Sequence, residues 1–203
     1  MEFLPVTWDE VHKLSLMLAE KVVKSGYFPD ILIGILRGGF IIARIVADAL
    51  DIDDLGVVEV KFYKSIGERA ERPIITQPLI MEVRDKNVLI VDDVVDSGRT
   101  LEIVSQQVRL RGAKKVKSAA LFVKPRSIIN PDYYIIKTNK WILFPWELGE
   151  LFRDYKVAGE KEAERLLASI GFNISGDIVI SLIKVLKYLK SYEEIKVPGS
   201  STE

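Results

Sequence analysis

The chain has 203 residues, 48% hydrophobic and 29% charged, with 29 Lys+Arg balanced by 29 Asp+Glu. A formal net charge of zero argues against a general affinity for nucleic acid or membrane surfaces, and the lack of cysteine excludes disulfides and thiolate chemistry. No leader-like segment opens the sequence and no apolar run reaches a membrane span, so one soluble cytoplasmic domain, with room for an appendage, is expected; few Gln and Met and many Lys, Glu and Ile lean towards a thermophilic source.

Thr7-Trp8-Asp9-Glu10 has the form of a capping box, and Val11, Leu14, Leu18 and Val22 make one apolar stripe. Together they predict an amphipathic helix over 8–25. His12, the only histidine, has no second ligand-type residue near it and is expected on the surface. The run from Ile31 to Leu36 is apolar throughout, the pattern of a strand buried on both faces, and leads into Arg37-Gly38-Gly39 before a buried helix over 40–47. Backbone N–H groups at a helix start, beside a guanidinium, suit an anion. Residues 56–63 alternate as a strand, 64–73 read as a polar mobile loop, and 74–76 with 79–81 read as a return strand.

The next stretch, Val88-Leu89-Ile90-Val91-Asp92-Asp93-Val94-Val95-Asp96-Ser97-Gly98-Arg99-Thr100-Leu101, organises the chain. It reads as a buried strand, an acidic turn and a helix whose Leu101, Val104, Val108 and Leu110 recur at helical spacing up to Gly112. A turn that feeds a helix N-terminus directs N–H groups and the positive dipole end at a phosphate, with Ser97 and Thr100 adding hydroxyl donors and Gly98 allowing close approach. Asp92 and Asp93 would repel that phosphate unless they face something else. Ionised carboxylates are acceptor-only groups and hard oxygen ligands, so a sugar diol or a divalent cation suits them. Phosphate at one end and a vicinal diol in the middle describe a ribose phosphate. The spacing is neither that of a P-loop nor that of a dinucleotide turn.

Beyond Gly112, 116–123 read as another strand, ending at Lys124-Pro125. A lysine there faces the crevice where open α/β sheets bind ligands. Residues 133–136 and 141–144 read as short strands, followed by Pro145-Trp146-Glu147. A charged amphipathic helix over 160–170 closes at Gly171, and Ser175-Gly176-Asp177 opens a helix over 178–192. That last helix has a polar stripe of Ser181, Lys184 and Lys187 and an apolar face too broad to stay exposed. Residues 197–203 look like a frayed tail. A core over 1–155 and a C-terminal helical extension over 156–203 are expected.

The Val88–Leu101 stretch resembles the motif with which type I phosphoribosyltransferases bind phosphoribosyl pyrophosphate (PRPP). The resemblance implies that family's fold, a mostly parallel twisted sheet flanked by helices, and a set of roles. Asp92 and Asp93 would hold the ribose hydroxyls, and Asp96, Ser97, Gly98, Arg99 and Thr100 the 5′-phosphate. In the 6-oxopurine members an R-G-G or K-G turn meets pyrophosphate, which points to Arg37 and Gly38, with Arg153 matching an arginine that reaches the same group. The 64–73 loop corresponds to the one that closes over PRPP, where Lys64, Arg69 and Arg72 could meet pyrophosphate. Lys124 matches the lysine that donates to the purine O6. Trp141 and Ile142, in a Trp-Ile-x-x-Pro-Trp-acid segment resembling xanthine–guanine phosphoribosyltransferases, match the base-stacking tryptophan and the residue whose backbone reads the base edge.

The resemblance also implies Mg²⁺, with Asp93 and Glu147 as carboxylates near it, and Asp96 as the catalytic acid–base residue at the purine imidazole edge. Substrates would be PRPP and a purine base, products a nucleoside monophosphate and pyrophosphate, and the assembly a homodimer or homotetramer. Lys124 carries donors only and favours a 6-oxo purine. Adenine use on the same scaffold, and a PRPP-sensing regulator without catalysis, are the competing readings. The regulator normally carries a DNA-binding module or a basic face, and a balanced charge argues against it.

Overall fold

The computed structural model describes residues 2–63 and 72–196, with side chains as far as Ser191. In chain order the elements are β1 (Phe3–Pro5), α1 (Trp8–Lys24), β2 (Ile31–Leu36), α2 (Gly38–Ala49), β3 (Leu55–Tyr63), β4 (Arg72–Gln77), β5 (Asn87–Val95), α3 (Arg99–Leu110), β6 (Lys115–Val123), β7 (Tyr133–Lys137), β8 (Trp141–Leu143), α4 (Leu148–Asp154), α5 (Glu160–Ile170) and α6 (Gly176–Lys196). They fall into two compact units, residues 9–139 and residues 1–8 with 140–203. The expected extension over 156–203 therefore shares its unit with residues 140–155. The loop residues 64–71, including Lys64 and Arg69, and the tail 197–203 lie outside the described residues.

The larger unit is a six-stranded sheet in the order β4-β3-β2-β5-β6-β7. All neighbours are parallel except β4, which runs antiparallel to β3. The mostly parallel sheet flanked by helices is the expected fold class. Its central strands β2 and β5 are sequences of aliphatic residues because both faces are covered; Ile31, Leu32, Ile33, Leu89 and Ile90 are at most 1% exposed. Helix α3 buries Leu101, Val104 and Val108, but Leu110, placed in the same stripe from sequence, is 81% exposed at the last turn.

Two local differences from the sequence reading have plain causes. Gly38 and Gly39 were read as turn residues, but α2 starts at Gly38 with Arg37 at its N-cap, so both form its first turn. The expected return strand at 79–81 does not form: β4 ends at Gln77, ahead of Pro78, which has no N–H to give a ladder. Leu79 is buried instead against Gly56 of β3.

In the smaller unit β1 and β8 pair in parallel, Phe3 opposite Trp141. Its core joins Leu143, Leu148, Leu151 and Phe152 to Ala163, Leu167, Phe172, Val179 and Ile183. Helix α5 ends at Gly171 as expected, in the left-handed conformation (φ 73°) that glycine adopts without a Cβ clash. Helix α6 buries Val179 and Ile183, while Ile178, Val185 and Leu189, expected to be covered, are about half exposed.

Candidate active site

The strand order reverses direction between β2 and β5. The chain leaves β2 through α2 to reach β3 on one side, and leaves β5 through α3 to reach β6 on the other. Open α/β sheets bind ligands in the crevice outside the strand C-termini at such a point. The two turns singled out in the sequence are the two that lie there.

On the β2 side, the Leu36–Arg37 peptide is cis and Arg37 opens α2. Glu59, opposite Leu36 in the neighbouring strand, lies within electrostatic reach of Arg37. Its carboxyl is held below the ordinary range chiefly by the Thr76 hydroxyl, with Lys61 and then Arg37 contributing.

On the β5 side, Asp92 is buried at 8% exposure and Asp93 half-buried. Asp92 Oδ1 accepts the Asp93 N–H at 3.0 Å, and Asp93 Oδ1 accepts the Val94 N–H at 2.8 Å. Burial, then the neighbouring Asp93 carboxylate, push the Asp92 carboxyl well above its usual range, and burial raises Asp93 too. A buried carboxyl beside a half-buried one is costly unless a donor or cation meets them, which is the environment a diol or a metal ion relieves. The adjoining α2 comes close: a Cβ on Gly39 would stand 2.7 Å from Val91 O and 3.0 Å from Asp92 Oδ1. Gly39 was read in sequence only as part of the turn; here it is what brings the two turns together.

Past Asp93 the chain turns into α3 through Gly98, whose φ of 84° is left-handed. The Arg99 N–H donates to Ser97 Oγ at 3.4 Å, and the helical ladder takes up at Glu102, whose N–H donates to Gly98 O at 3.0 Å. In any α-helix the amides before that point have no intrahelical carbonyl, and they carry the positive dipole end. Asp96, Ser97, Gly98, Arg99 and Thr100 thus form the turn and the first residues of that helix, where an anion would meet such amides. Asp96 is exposed, and its carboxylate is bound by Arg126. Lys124 follows β6, with its N–H donating to Val95 O at 2.9 Å. Burial lowers its ammonium from the usual lysine range, against the pull of Asp96 and with a further push from Arg126.

The other unit carries Trp141, Ile142, Glu147 and Arg153. Trp141, at the start of β8, is 53% exposed, and Ile142 behind it is buried. Trp146 is engaged within its unit: it stacks on Phe144 at 4.5 Å between centroids and tilts against Trp8 at 5.6 Å. Trp141 is thus the more available indole of the two. Glu147 Oε2 accepts the Phe144 N–H at 3.0 Å and closes the turn before α4. Arg153 is exposed near the end of α4, with Nη1 about one turn back at Gly149.

The sequence model for the phosphoribosyl transferase domain matches residues 7–153. The chain belongs to the phosphoribosyltransferase family. A xanthine-guanine phosphoribosyltransferase of Ruegeria is 34% identical over 156 residues, 71% of this chain and 85% of that protein. A purine phosphoribosyltransferase structure from Pyrococcus horikoshii is 46% identical, with a TM-score of 0.65 over 72% of this chain and 94% of the other. A Neisseria gonorrhoeae protein solved with bound ppGpp is 30% identical, with a TM-score of 0.67 over 77% and 96%. Among the described residues, no helix is long and apolar enough to cross a membrane.

Proposed function

We propose that this phosphoribosyltransferase moves the 5-phosphoribosyl group of PRPP onto a purine base, releasing pyrophosphate and a nucleoside monophosphate, with 6-oxopurines preferred. The observation that carries this reading is the convergence of a phosphate cradle (Asp96 to Thr100), an acidic pair (Asp92, Asp93) and a cationic turn (Arg37, Gly38) at one topological switch point. Relatives named for xanthine, guanine and general purine transfer support the base class. So does a neighbour holding ppGpp, a guanine nucleotide with phosphates at both ends.

In the reaction the ribose C1′–oxygen bond to pyrophosphate breaks, a C1′–nitrogen bond to the base forms, and the base loses a proton. Charge separates along the breaking bond, so positioned electrostatics supply most of the acceleration. The cradle fixes the 5′-phosphate, Asp92 and Asp93 accept from the ribose hydroxyls, and Arg37 with the Gly38 amide meets the departing pyrophosphate. Asp96 accepts the N–H of the purine imidazole edge and assists its proton transfer. Lys124 donates to the exocyclic oxygen; a 6-amino group in its place would face a donor with a donor. Trp141 offers an exposed indole suited to stacking on a base, and Ile142 a backbone suited to reading its edge.

The residues fit Mg²⁺, a hard cation that takes one or two carboxylates and completes its shell with substrate oxygens and water. Asp93, whose half-buried carboxyl a cation would relieve, would hold it; Glu147 belongs to the other unit, and its Oε2 already accepts a backbone N–H. Bound there, the ion would neutralise developing pyrophosphate charge.

Initial rates with PRPP and Mg²⁺ against hypoxanthine, guanine, xanthine and adenine in parallel test the reading. Turnover of one or more oxo-purines, with adenine about tenfold or more slower, is expected, since a mismatched polar contact costs about 1–3 kcal/mol. Turnover of adenine alone would keep the PRPP site and overturn the Lys124 assignment. Tight PRPP binding without turnover of any base would favour a sensor.

A further inference from the structure

The loop after β6 is stitched to the turn after β5. Lys124 N–H donates to Val95 O at 2.9 Å and Ile128 N–H to Ser97 O at 3.1 Å. Within the loop, Ser127 N–H donates to Lys124 O at 3.0 Å and the Ser127 hydroxyl to Ile129 O at 2.6 Å. The fit is tight, since a Cβ on Gly98 would stand 2.8 Å from Ser127 Oγ and 3.0 Å from Ile129 N. From this anchored loop Arg126 reaches Asp96 with two parallel bonds. Nε donates to Oδ1 at 2.7 Å and Nη2 to Oδ2 at 2.5 Å.

Stability is a poor reason for this pair. Its side chains are 70% and 51% exposed, and ion pairs so open to water contribute little to folding. Orientation is a better one. A fork-to-fork guanidinium fixes the plane of a carboxylate as well as its charge. An ionised carboxylate has about four lone-pair sites, two on each oxygen, and the fork occupies one on each. The remainder can accept a base N–H while the carboxylate stays clamped. Lys124, which opens the same loop, is in electrostatic reach of both partners.

We propose that Arg126 is a positioning residue for the transfer reaction: it clamps Asp96 in the orientation that accepts the purine N–H, and couples that orientation to the loop that presents Lys124. The inference rests on the transferase reading above. Nothing in the sequence marks Arg126, which lies 30 residues from its partner in a loop without periodicity.

The test uses the full-length protein and its best base, comparing wild type, Arg126→Gln, Arg126→Lys, Asp96→Asn and the Arg126→Gln/Asp96→Asn double variant. Misorienting a catalytic group by about 1 Å costs up to about 100-fold, so Arg126→Gln should lower kcat about tenfold or more. KM for base and PRPP should change less than about threefold, because this contact is expected to act on alignment rather than on binding. Arg126→Lys should recover part of kcat, since an ammonium meets one oxygen but cannot fix the plane. In the Asp96→Asn background, removing Arg126 should cost nothing further, the coupling expected of residues acting as a unit. Should Arg126→Gln fail to fold, a lowered kcat in Arg126→Lys still supports the clamp.

A wild-type kcat in Arg126→Gln, a loss fully additive with Asp96→Asn, or a matching loss of PRPP affinity would each overturn it. An active wild type with an indifferent Arg126→Gln removes this inference alone. A wild type inactive on all four bases removes the transferase reading and the clamp with it.

Discussion

Gly39 stands where the start of α2 meets the strand that carries the acidic pair. A Cβ there would lie 2.7 Å from Val91 O and 2.8 Å from Asp92 Cα, both backbone atoms of a central strand that cannot yield. Overpacking of this kind costs about 1–3 kcal/mol, and the displacement would fall on Asp92 itself. Gly39→Ala should therefore lower Tm by several degrees and weaken PRPP binding more than a similarly destabilising change remote from the strand C-termini. Calorimetry and titration with PRPP and Mg²⁺ check both; unaltered PRPP affinity in a destabilised variant would reduce Gly39 to a packing residue. The residues singled out in the sequence, Arg37, Asp92, Asp93 and Asp96 to Thr100, are those whose chemical type a phosphate, a diol or a cation would demand. Arg126 was not legible, because its partner is chosen by how two loops close, and no local pattern records that.

At the scale of elements, period and run length carried most of the information. Strands β2 and β5 were visible as aliphatic runs, and α1, α3 and α5 as stripes ending near lysine or glycine. Missed were α4, a single short turn-rich helix over Leu148–Asp154, and the pairing of β1 with β8, two three-residue strands joined only by non-local hydrogen bonds. The first half of β6, where Asp132 just ahead of β7 meets it, shows how a polar residue fixes such a junction. Asp132 Oδ2 accepts the Ser118 N–H at 2.8 Å and the Ser118 hydroxyl at 3.0 Å, while Oδ1 accepts from Lys117 Nζ at 3.0 Å. Burial pushes the Asp132 carboxyl upward, but Lys117 and Ser118 outweigh it and hold the group below the ordinary carboxylate range. A depressed folded-state pKa means that the unfolded chain takes up the proton first. The stabilisation is complete above the unfolded value near 4 and is lost as pH falls through the folded one. Asp132→Asn should cost about 1 kcal/mol near neutrality, discounted for a side chain 36% exposed. Thermal melts of both proteins from pH 3 to 7 should converge at the acid end; a gap of constant size would mean that the carboxylate charge contributes nothing.

Over the whole chain, the family match ends at residue 153, yet the protein does not divide there. Leu148, Leu151 and Phe152, inside the matched region, are at most 6% exposed because Ala163, Leu167, Phe172, Val179 and Ile183 of the following segment pack with them. The sequence suggested an appendage because a charged amphipathic helix and a second, broadly apolar one follow the family motifs. What it could not show is that α5 and α6 share one core with β8 and α4, since that depends on which faces meet. Ending the chain at residue 155 would return at least four large apolar side chains, Leu143, Leu148, Leu151 and Phe152, to water. Burial of each is worth about 1.5–3 kcal/mol, and the sum rivals the 5–15 kcal/mol that holds a typical domain folded. The 1–155 fragment should therefore be poorly soluble, or lack a cooperative thermal transition for the unit that carries Trp141. Residues 9–139 keep their own six-stranded core, so a fragment that stays soluble should still bind PRPP but lose base turnover. A soluble 1–155 fragment with wild-type kcat on an oxo-purine would show that α5 and α6 are a true appendage. Partial loss confined to the base KM would instead tie the two helices to the surroundings of Trp141 and Ile142.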